Sequence, residues 1–337
     1  MGNILARLII TKVDYVFEDS DDAIKKQRSL AGDFMPGKHD AELCTGGKAD
    51  LHKHYKRCKK NPGHVNFIPV NDFNLDHLPS RYRDVIMLEA IKAYSALTVM
   101  IKVRFTSLER PKSAKCFEGN YPFYKNKGKE YLRTGTGLIY DVAKFTESDC
   151  MGPCPCGTCR QTGRQRKVWG EIRVLTATHV VFDNSEVRRT VCVVGFDDDQ
   201  SPGVSLDGWN VGQANVKGDW CKFSCVSCDL EFVDKLGKMC RQFEDLREKV
   251  RDKLQRSDDL EQLTVIVSHP HGCPKQVSVG QCTDQGRNAC HMSTKYMYTN
   301  CTCPGSSGAA VYIPGFDWRY NPHSGSSDEG NYSGEFC

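Results

Sequence analysis

Ser307 has the sequence neighbours of a nucleophile. It lies between Gly305 and Gly308, and an apolar run at 309–313 follows. The glycines predict a tight turn and the apolar run predicts a buried strand. Such a turn can present a hydroxyl together with backbone N–H groups, which acyl transfer needs because an oxyanion forms when a carbonyl is attacked. The alternative interpretation is a Gly/Ser-rich loop without chemistry.

A serine nucleophile needs a base within hydrogen-bond reach and a carboxylate that orients the base. His179, in LTATHVV, is the predicted base, because it ends an apolar segment and would lie at the rim of a barrel. Asp229, in SCDLEFV, is the predicted carboxylate, since the apolar Leu230 after it suggests the start of a strand. Asp219 and the acidic run at 197–199 are the other candidates.

The elements that would position these residues are mostly strands. A short amphipathic helix is predicted after Ser80, and residues 97–105 then alternate between apolar and polar. The apolar stripe of residues 232–255 predicts a long amphipathic helix, which we expect to pack on its own domain rather than on a partner helix. Many short strands with turn signals between them predict an all-β barrel or sandwich. Further strands are predicted at 133–145, 167–179, 190–196, 263–268 and 275–281.

Four strings together resemble the chymotrypsin-like (trypsin-like, peptidase S1-type) serine proteases. They are GTG at 135–137, TATHVV around His179, CDL around Asp229 and PGSSGA around Ser307. The chain is similar to the bacterial Deg-type and viral branches rather than to secreted digestive enzymes. The resemblance covers about residues 96–337 and implies an all-β double β-barrel with the triad between the barrels.

The chain is expected to divide near residue 78. Residues 1–78 show no sustained periodicity and are expected to form an irregular or helical N-terminal extension of unknown role, and residues 79–337 are expected to form the protease domain. Two insertions interrupt that domain, a Cys-rich one at 150–159 and the helical one at 232–255.

Roles for single residues follow from the same resemblance. His179 becomes the general base, Asp229 its orienting carboxylate and Ser307 the nucleophile of a serine endopeptidase. The backbone N–H groups of Gly305 and Ser307 become the oxyanion hole. The alternative function is a catalytically idle, zinc-stabilised module that binds peptides without cutting them.

The segment NPHSG resembles the wall of the family's specificity pocket. His323, Ser324 and Gly325 are therefore expected to bind substrate, and Cys301 falls near the base of the pocket. His323 is expected either to bind a Glu or Gln side chain of the substrate or to fill the pocket wall.

Eighteen cysteines are many for a chain of 337 residues. In a chain without a predicted secretion signal, thiols stay reduced and metal binding is favoured over disulfides. The short spacing of Cys154, Cys156 and Cys159 suits tetrahedral zinc, and Cys225 is the predicted fourth ligand of a structural ion. No cofactor is expected in catalysis. The other candidates for the fourth position are Cys150, Cys221 and Cys228.

Other cysteines and histidines are predicted to be ordinary polar residues. His269 and His271, in SHPHG, are expected to be turn residues. The Cys and His residues of the extension fit no finger spacing and are expected to be scattered and solvated. They are Cys44, His52, His54, Cys58 and His64.

Composition excludes several classes of function. The net charge of +4 is too small to indicate nucleic-acid binding, and no apolar run reaches membrane-spanning length. The apolar stretch at the start is too short for a signal peptide, so a cytoplasmic protein is expected, with a protein or peptide as substrate. An α/β-hydrolase is excluded by order, because there the serine precedes the acid and the histidine.

Overall fold

A computed structural model describes residues 38–44, 48–113, 120–149, 151–164, 166–201, 203–254, 262–287, 294–316, 321–328 and 330–334. The predictions for Cys150, for residues 1–37 and for residue 255 lie outside the described residues.

Strands dominate the described part of the chain. They are β1 (Lys38–His39), β2 (Glu42–Cys44), β3 (Ile68–Pro69), β4 (Thr98–Val103), β5 (Leu132–Phe145), β6 (Trp169–Thr176), β7 (Thr190–Val194), β8 (Val204–Asn215), β9 (Trp220–Ser227), β10 (Gln262–Ser268), β11 (Gln276–Arg287), β12 (Thr294–Tyr298), β13 (Val311–Tyr312), β14 (His323–Ser327) and β15 (Gly330–Ser333). The helices are α1 (Lys48–Lys56), α2 (Val85–Leu97), α3 (Gly157–Thr162), α4 (Asn184–Val187) and α5 (Leu230–Leu254).

The first sheet closes into a barrel. Its order is β2-β5-β4-β7-β8-β9-β6, and β5 also pairs with β6, so the six strands from β4 to β9 form a ring. The second sheet has the order β1-β14-β15-β12-β11-β10-β13. Its ends approach each other where the Gly308 N–H donates to the His323 carbonyl at 2.8 Å. This all-β double barrel confirms the predicted chymotrypsin-like fold.

The predicted GTG string lies in β5, where the backbone must come close to its neighbours. A Cβ on Gly135 would lie 2.5 Å from a methyl of Val180, and one on Gly137 would lie 2.8 Å from Ile101. Both distances are below any real contact, so only glycine lets β5 pack here. β5 therefore packs closely against the Ser307 turn of the second barrel, since a Cβ on Gly135 would also lie 3.2 Å from the Ser307 carbonyl oxygen.

The two long helices pack on each other and against both barrels. α2 begins after Asp84, whose carboxylate accepts the Ile86 N–H at 3.1 Å. Phe243 of α5 lies 5.9 Å from the ring of Tyr94 of α2. Buried residues of α5 belong to the main hydrophobic core, which confirms that this helix packs on its own domain. Among the described helices, none has the length and apolarity needed to cross a bilayer.

The N-terminal extension adds strands to both barrels. β1 pairs antiparallel with β14 in the second barrel, and β2 pairs antiparallel with β5 in the first. β3 pairs with β11. The chain between β1 and β2 therefore crosses from one barrel to the other, at the position where the predicted catalytic residues meet.

Candidate active site

Ser307 lies in a turn that only this glycine pattern permits. Gly305 and Gly308 have φ of +97° and +86°, the left-handed region. A Cβ on Gly308 would lie 2.0 Å from the Thr176 hydroxyl oxygen. The Thr136 N–H of β5 donates to the Ser307 carbonyl at 2.8 Å, so the first barrel fixes the turn of the second.

His179 is held by Asp219. The imidazole Nδ1 lies 2.8 Å from one carboxylate oxygen of Asp219, and the His179 backbone N–H donates to the other at 3.0 Å. Both side chains are buried. Burial alone would raise the pKa of Asp219, but the charge and hydrogen bond of His179 lower that pKa to about 2. Asp219 is therefore an anion that accepts a hydrogen bond from the Nδ1–H of His179.

This geometry corrects the assignment of the carboxylate to Asp229. The Asp229 side chain accepts the Phe232 N–H at 3.1 Å, at the start of α5. It is an N-cap, a common role for Asp at that position. Leu230 begins a helix, not a strand. Asp219 instead occupies the tight turn between β8 and β9, with φ of +51°.

A buried ion-pair network holds the His179 loop from behind. Glu186 receives hydrogen bonds from Arg110 at 2.6 and 2.7 Å and from Arg133 at 2.7 Å. Arg110 also donates to the His179 carbonyl at 3.0 Å. Each of the three charged side chains is at most 1% exposed. The network thus fixes the backbone that carries the imidazole, although the sequence analysis did not identify it.

The nucleophile contacts a carbonyl of its own chain. The Ser307 Oγ donates to the Asp40 carbonyl at 2.7 Å, and the Gly305 N–H donates to the same oxygen at 3.1 Å. The Gly305 N–H and the Ser307 hydroxyl therefore converge on one carbonyl oxygen. Within the described part of the chain, the His179 Nε2 has no hydrogen-bond partner. The Ser307 hydroxyl hydrogen-bonds to the Asp40 carbonyl, not to His179.

The predicted specificity segment lies beside this carbonyl. Buried His323 donates from Nε2 to the Asp40 carboxylate at 2.9 Å, and its Nδ1 lies 2.6 Å from the Tyr298 hydroxyl. Ser324 hydrogen-bonds to Asp219, and Gly325 pairs with residue 39 in the β1–β14 register.

Cys301 was predicted near the base of the pocket, and its neighbour Thr302 contacts Asp40. The Thr302 hydroxyl donates to the Asp40 carboxylate at 2.8 Å, whereas Cys301 is only half-buried.

A first cluster of thiols partly follows the zinc prediction. The sulfurs of four free cysteines lie within 4.8 Å of one another. Cys225 is not among them, because it points into the barrel core on β9, and the fourth member is Cys228, just beyond the end of that strand. The Cys156 and Cys228 sulfurs are 3.7 Å apart. The cluster consists of Cys154, Cys156, Cys159 and Cys228.

A second cluster corrects the expectation that Cys58 and His64 of the extension are solvated, whereas His52 is exposed as expected. Cys58 and His64 meet His271 and Cys303, with all four ligand atoms within 4.8 Å of one another. His271 was predicted to be a simple turn residue. No spacing signal could have revealed this group, because two members precede the first barrel, one follows β10 and one lies four residues before Ser307.

The chain matches no family model and no curated protein. Among solved structures it is similar to the active form of the Rv3671c protease from M. tuberculosis, with a TM-score of 0.38 and 11% identity over 76% of this chain and 82% of that one. It is also similar to Deg5 (TM-score 0.37, 12% identity, 76% and 90% covered). A third similar structure is the HtrA-type protease AlgW with a tripeptide (TM-score 0.36, 13% identity, 73% and 58% covered).

Proposed function

We propose that this chain is a serine endopeptidase, with Ser307 as the nucleophile, His179 as the general base and Asp219 as the orienting carboxylate. One observation carries the proposal. The buried His179–Asp219 pair lies at the junction of the two barrels, beside a turn whose Ser307 hydroxyl and Gly305 N–H both contact a peptide carbonyl. These are the parts that acyl transfer needs.

The chemistry follows from these positions. Ser307 Oγ attacks the substrate carbonyl carbon while its proton passes to His179 Nε2. Asp219 stabilises the imidazolium that forms. The oxyanion accepts the Gly305 N–H, and the Ser307 N–H is the second proposed donor. His179 then protonates the leaving amine, the C–N bond breaks, and water hydrolyses the ester with His179 again taking a proton.

The idle peptide-binding module is the second candidate. The observation that favours it is the hydrogen bond of the Ser307 hydroxyl to the Asp40 carbonyl instead of to His179. A fluorophosphonate probe decides between the two candidates, because it reacts only with an activated serine. We expect one probe per native chain after extended incubation, no probe on Ser307→Ala, and full labelling of the exposed control Ser205→Ala. A native chain that takes up no probe would leave the binding module as the better account.

The Cys154, Cys156, Cys159 and Cys228 cluster is proposed to hold a structural zinc ion. Tetrahedral zinc with Zn–S bonds of about 2.3 Å requires sulfurs about 3.8 Å apart, and the 3.7 Å between Cys156 and Cys228 fits. Such an ion would join the loop before β6 to the end of β9. It would support the barrel that carries His179 and would take no part in the reaction.

A further inference from the structure

The segment around Asp40 lies across the site as an extended strand. His39 pairs with Gly325 in the antiparallel register of β1 and β14, and the Asp40 N–H donates to the Ser324 carbonyl at 3.4 Å. Adding an extended peptide to a sheet edge is a common mode of peptide recognition. The backbone of β1 is therefore held as a bound peptide would be held.

The reacting groups meet one specific bond of this segment. The carbonyl that contacts both the Ser307 hydroxyl and the Gly305 N–H belongs to Asp40, so the adjacent peptide bond is Asp40–Ala41. The ring of His39 lies 4.4 Å from the ring of His179. The ring of His39, the residue before Asp40, thus lies against His179. The Asp40–Ala41 bond lies beside Ser307.

The Asp40 side chain fills a polar pocket that matches its charge. Its carboxylate accepts hydrogen bonds from Lys60 at 2.5 Å, Thr302 at 2.8 Å and His323 at 2.9 Å. The side chain is only 6% exposed. Burial alone would raise the pKa of Asp40, but the hydrogen bond of His323 and the charge of Lys60 hold that pKa below its usual range.

Beyond Asp40 the chain continues into the other barrel. Glu42 pairs with Thr134 in the antiparallel register of β2 and β5, and its carboxylate contacts His54 and His271 at 2.6 and 2.7 Å. Both sides of the Asp40–Ala41 bond are therefore fixed, one on each barrel. A substrate that extends from one barrel to the other would likewise pair with β14 on one side and with β5 on the other.

We infer that residues 38–42 are an intramolecular substrate, and that the enzyme cuts its own chain after Asp40 and prefers an aspartate at that position in other substrates. This rests on the proposed function and adds its substrate class. Ser307 Oγ attacks the Asp40 carbonyl carbon and its proton goes to His179. The Asp40–Ala41 bond breaks with that proton on the Ala41 amine, and water then releases the Asp40 carboxylate and restores the Ser307 hydroxyl.

The test follows the full-length chain by intact mass and N-terminal sequencing. We expect the native chain to yield a fragment that begins at Ala41, and Ser307→Ala to stay whole. Asp40→Asn keeps the shape but loses the charge, so we expect cleavage at least about 100-fold slower. Asp76→Asn, at a side chain that is 89% exposed, is the matched control and is expected to cleave at the native rate.

Fluorophosphonate labelling distinguishes a failure of the self-cleavage inference from a failure of the peptidase proposal. A chain that takes up the probe at Ser307 but stays intact would overturn this inference and leave the peptidase proposal standing. A cut at Ala41 in Ser307→Ala would also overturn it, because another protease would then be responsible. Equal cleavage of Asp40→Asn would refute the aspartate preference. A chain neither labelled nor cut would remove both proposals.

A different observation carries a second inference, from the cluster of Cys58, His64, His271 and Cys303. The Cys58 and Cys303 sulfurs are 3.5 Å apart, and Cys303 lies 3.6 Å from the His64 Nε2. Tetrahedral zinc with Zn–S of about 2.3 Å and Zn–N of about 2.0 Å needs ligand atoms about 3.5 to 3.8 Å apart. The observed spacings fit.

The surroundings of the cluster also match a metal site. The Nδ1 of His271 lies 2.7 Å from a Glu42 carboxylate oxygen, which leaves Nε2 for a metal. Such carboxylate–histidine pairs orient zinc ligands in many proteins. We propose that this group binds a second zinc ion, which fastens the extension at residues 58–64 to the turn after β10 and to the segment just before Ser307.

Metal analysis after purification under reducing conditions tests both zinc sites. We expect two zinc ions per native chain, one in Cys58→Ser and one in Cys228→Ser. Cys225→Ser and Cys301→Ser are controls that should keep two. Cobalt replacement gives a second readout, because Cys58→Ser should lose the sulfur-to-cobalt absorption of one site. A native chain with one zinc that Cys58→Ser retains would refute the second site.

Discussion

We expect Asp219→Asn to lower kcat by about 10⁴-fold with little change in KM. The asparagine keeps the size of the side chain but can present an amide N–H to His179 Nδ1, which favours the wrong tautomer. The imidazolium also loses the anion 2.8 Å away that stabilises it. Initial rates on a peptide with aspartate before the cleaved bond measure the effect.

Asp229→Asn is the matched control for this prediction. Asparagine caps helices about as well as aspartate, so the contact with the Phe232 N–H is kept and activity should be native. Because the pKa of Asp219 is about 2, the native pH–rate profile should show no titration of this carboxylate above pH ~4. Loss of activity in Asp229→Asn with a native Asp219→Asn would restore the original assignment.

Asp229 was predicted in place of Asp219 because the sequence pattern did not reveal the hairpin that contains Asp219. β8 and β9 were not predicted, since β8 mixes polar and apolar residues and two register shifts interrupt its pairing with β9. Without that hairpin, Asp219 resembled a loop residue. The turn signal NVKGD before the alternating segment WCKFSC could have located it. Asp229 was favoured by the apolar residue after it, which begins a helix equally well.

Local patterns succeeded where the chemistry depends on local backbone. Gly305 and Gly308 predicted the Ser307 turn because both positions have a positive φ, which glycine adopts more readily than other residues. The end of an apolar segment located His179 in the same way. The long helix was predicted almost to its bounds, because its apolar stripe has one period throughout.

Features that join distant segments could not be predicted. The second metal cluster combines residues 58 and 64 with residues 271 and 303, and the Asp40 pocket combines Lys60 with Thr302 and His323. The register of β1 on β14 places Asp40 near His323, and no single segment carries a pattern that reveals either arrangement. For the same reason the extension had no role in the sequence analysis, although it contributes to both barrels.

A large loss of folding stability is expected when Glu186 is substituted. Glu186→Gln should destabilise the chain by about 3–5 kcal/mol, because two buried guanidinium groups lose their shared anion. Arg110 and Arg133 are at most 1% exposed and cannot move to water without opening the barrel. Urea unfolding with equal m-values measures the loss. Glu130→Gln, at an exposed position, is the control and should change stability by less than about 0.5 kcal/mol.

The pH dependence of the stability difference between the native chain and Glu186→Gln gives an independent check of the role of Glu186. Burial alone would raise the pKa of Glu186, but the charges of Arg110 and Arg133 lower it below its usual range. A carboxylate with a lowered folded-state pKa stabilises the fold fully above its unfolded pKa of about 4.3, and this contribution is lost as the pH falls. The difference between native and Glu186→Gln should therefore be full at neutral pH and shrink below pH ~4. A difference that is small at neutral pH would show that the two arginines find other partners, and the His179 loop would then need another support.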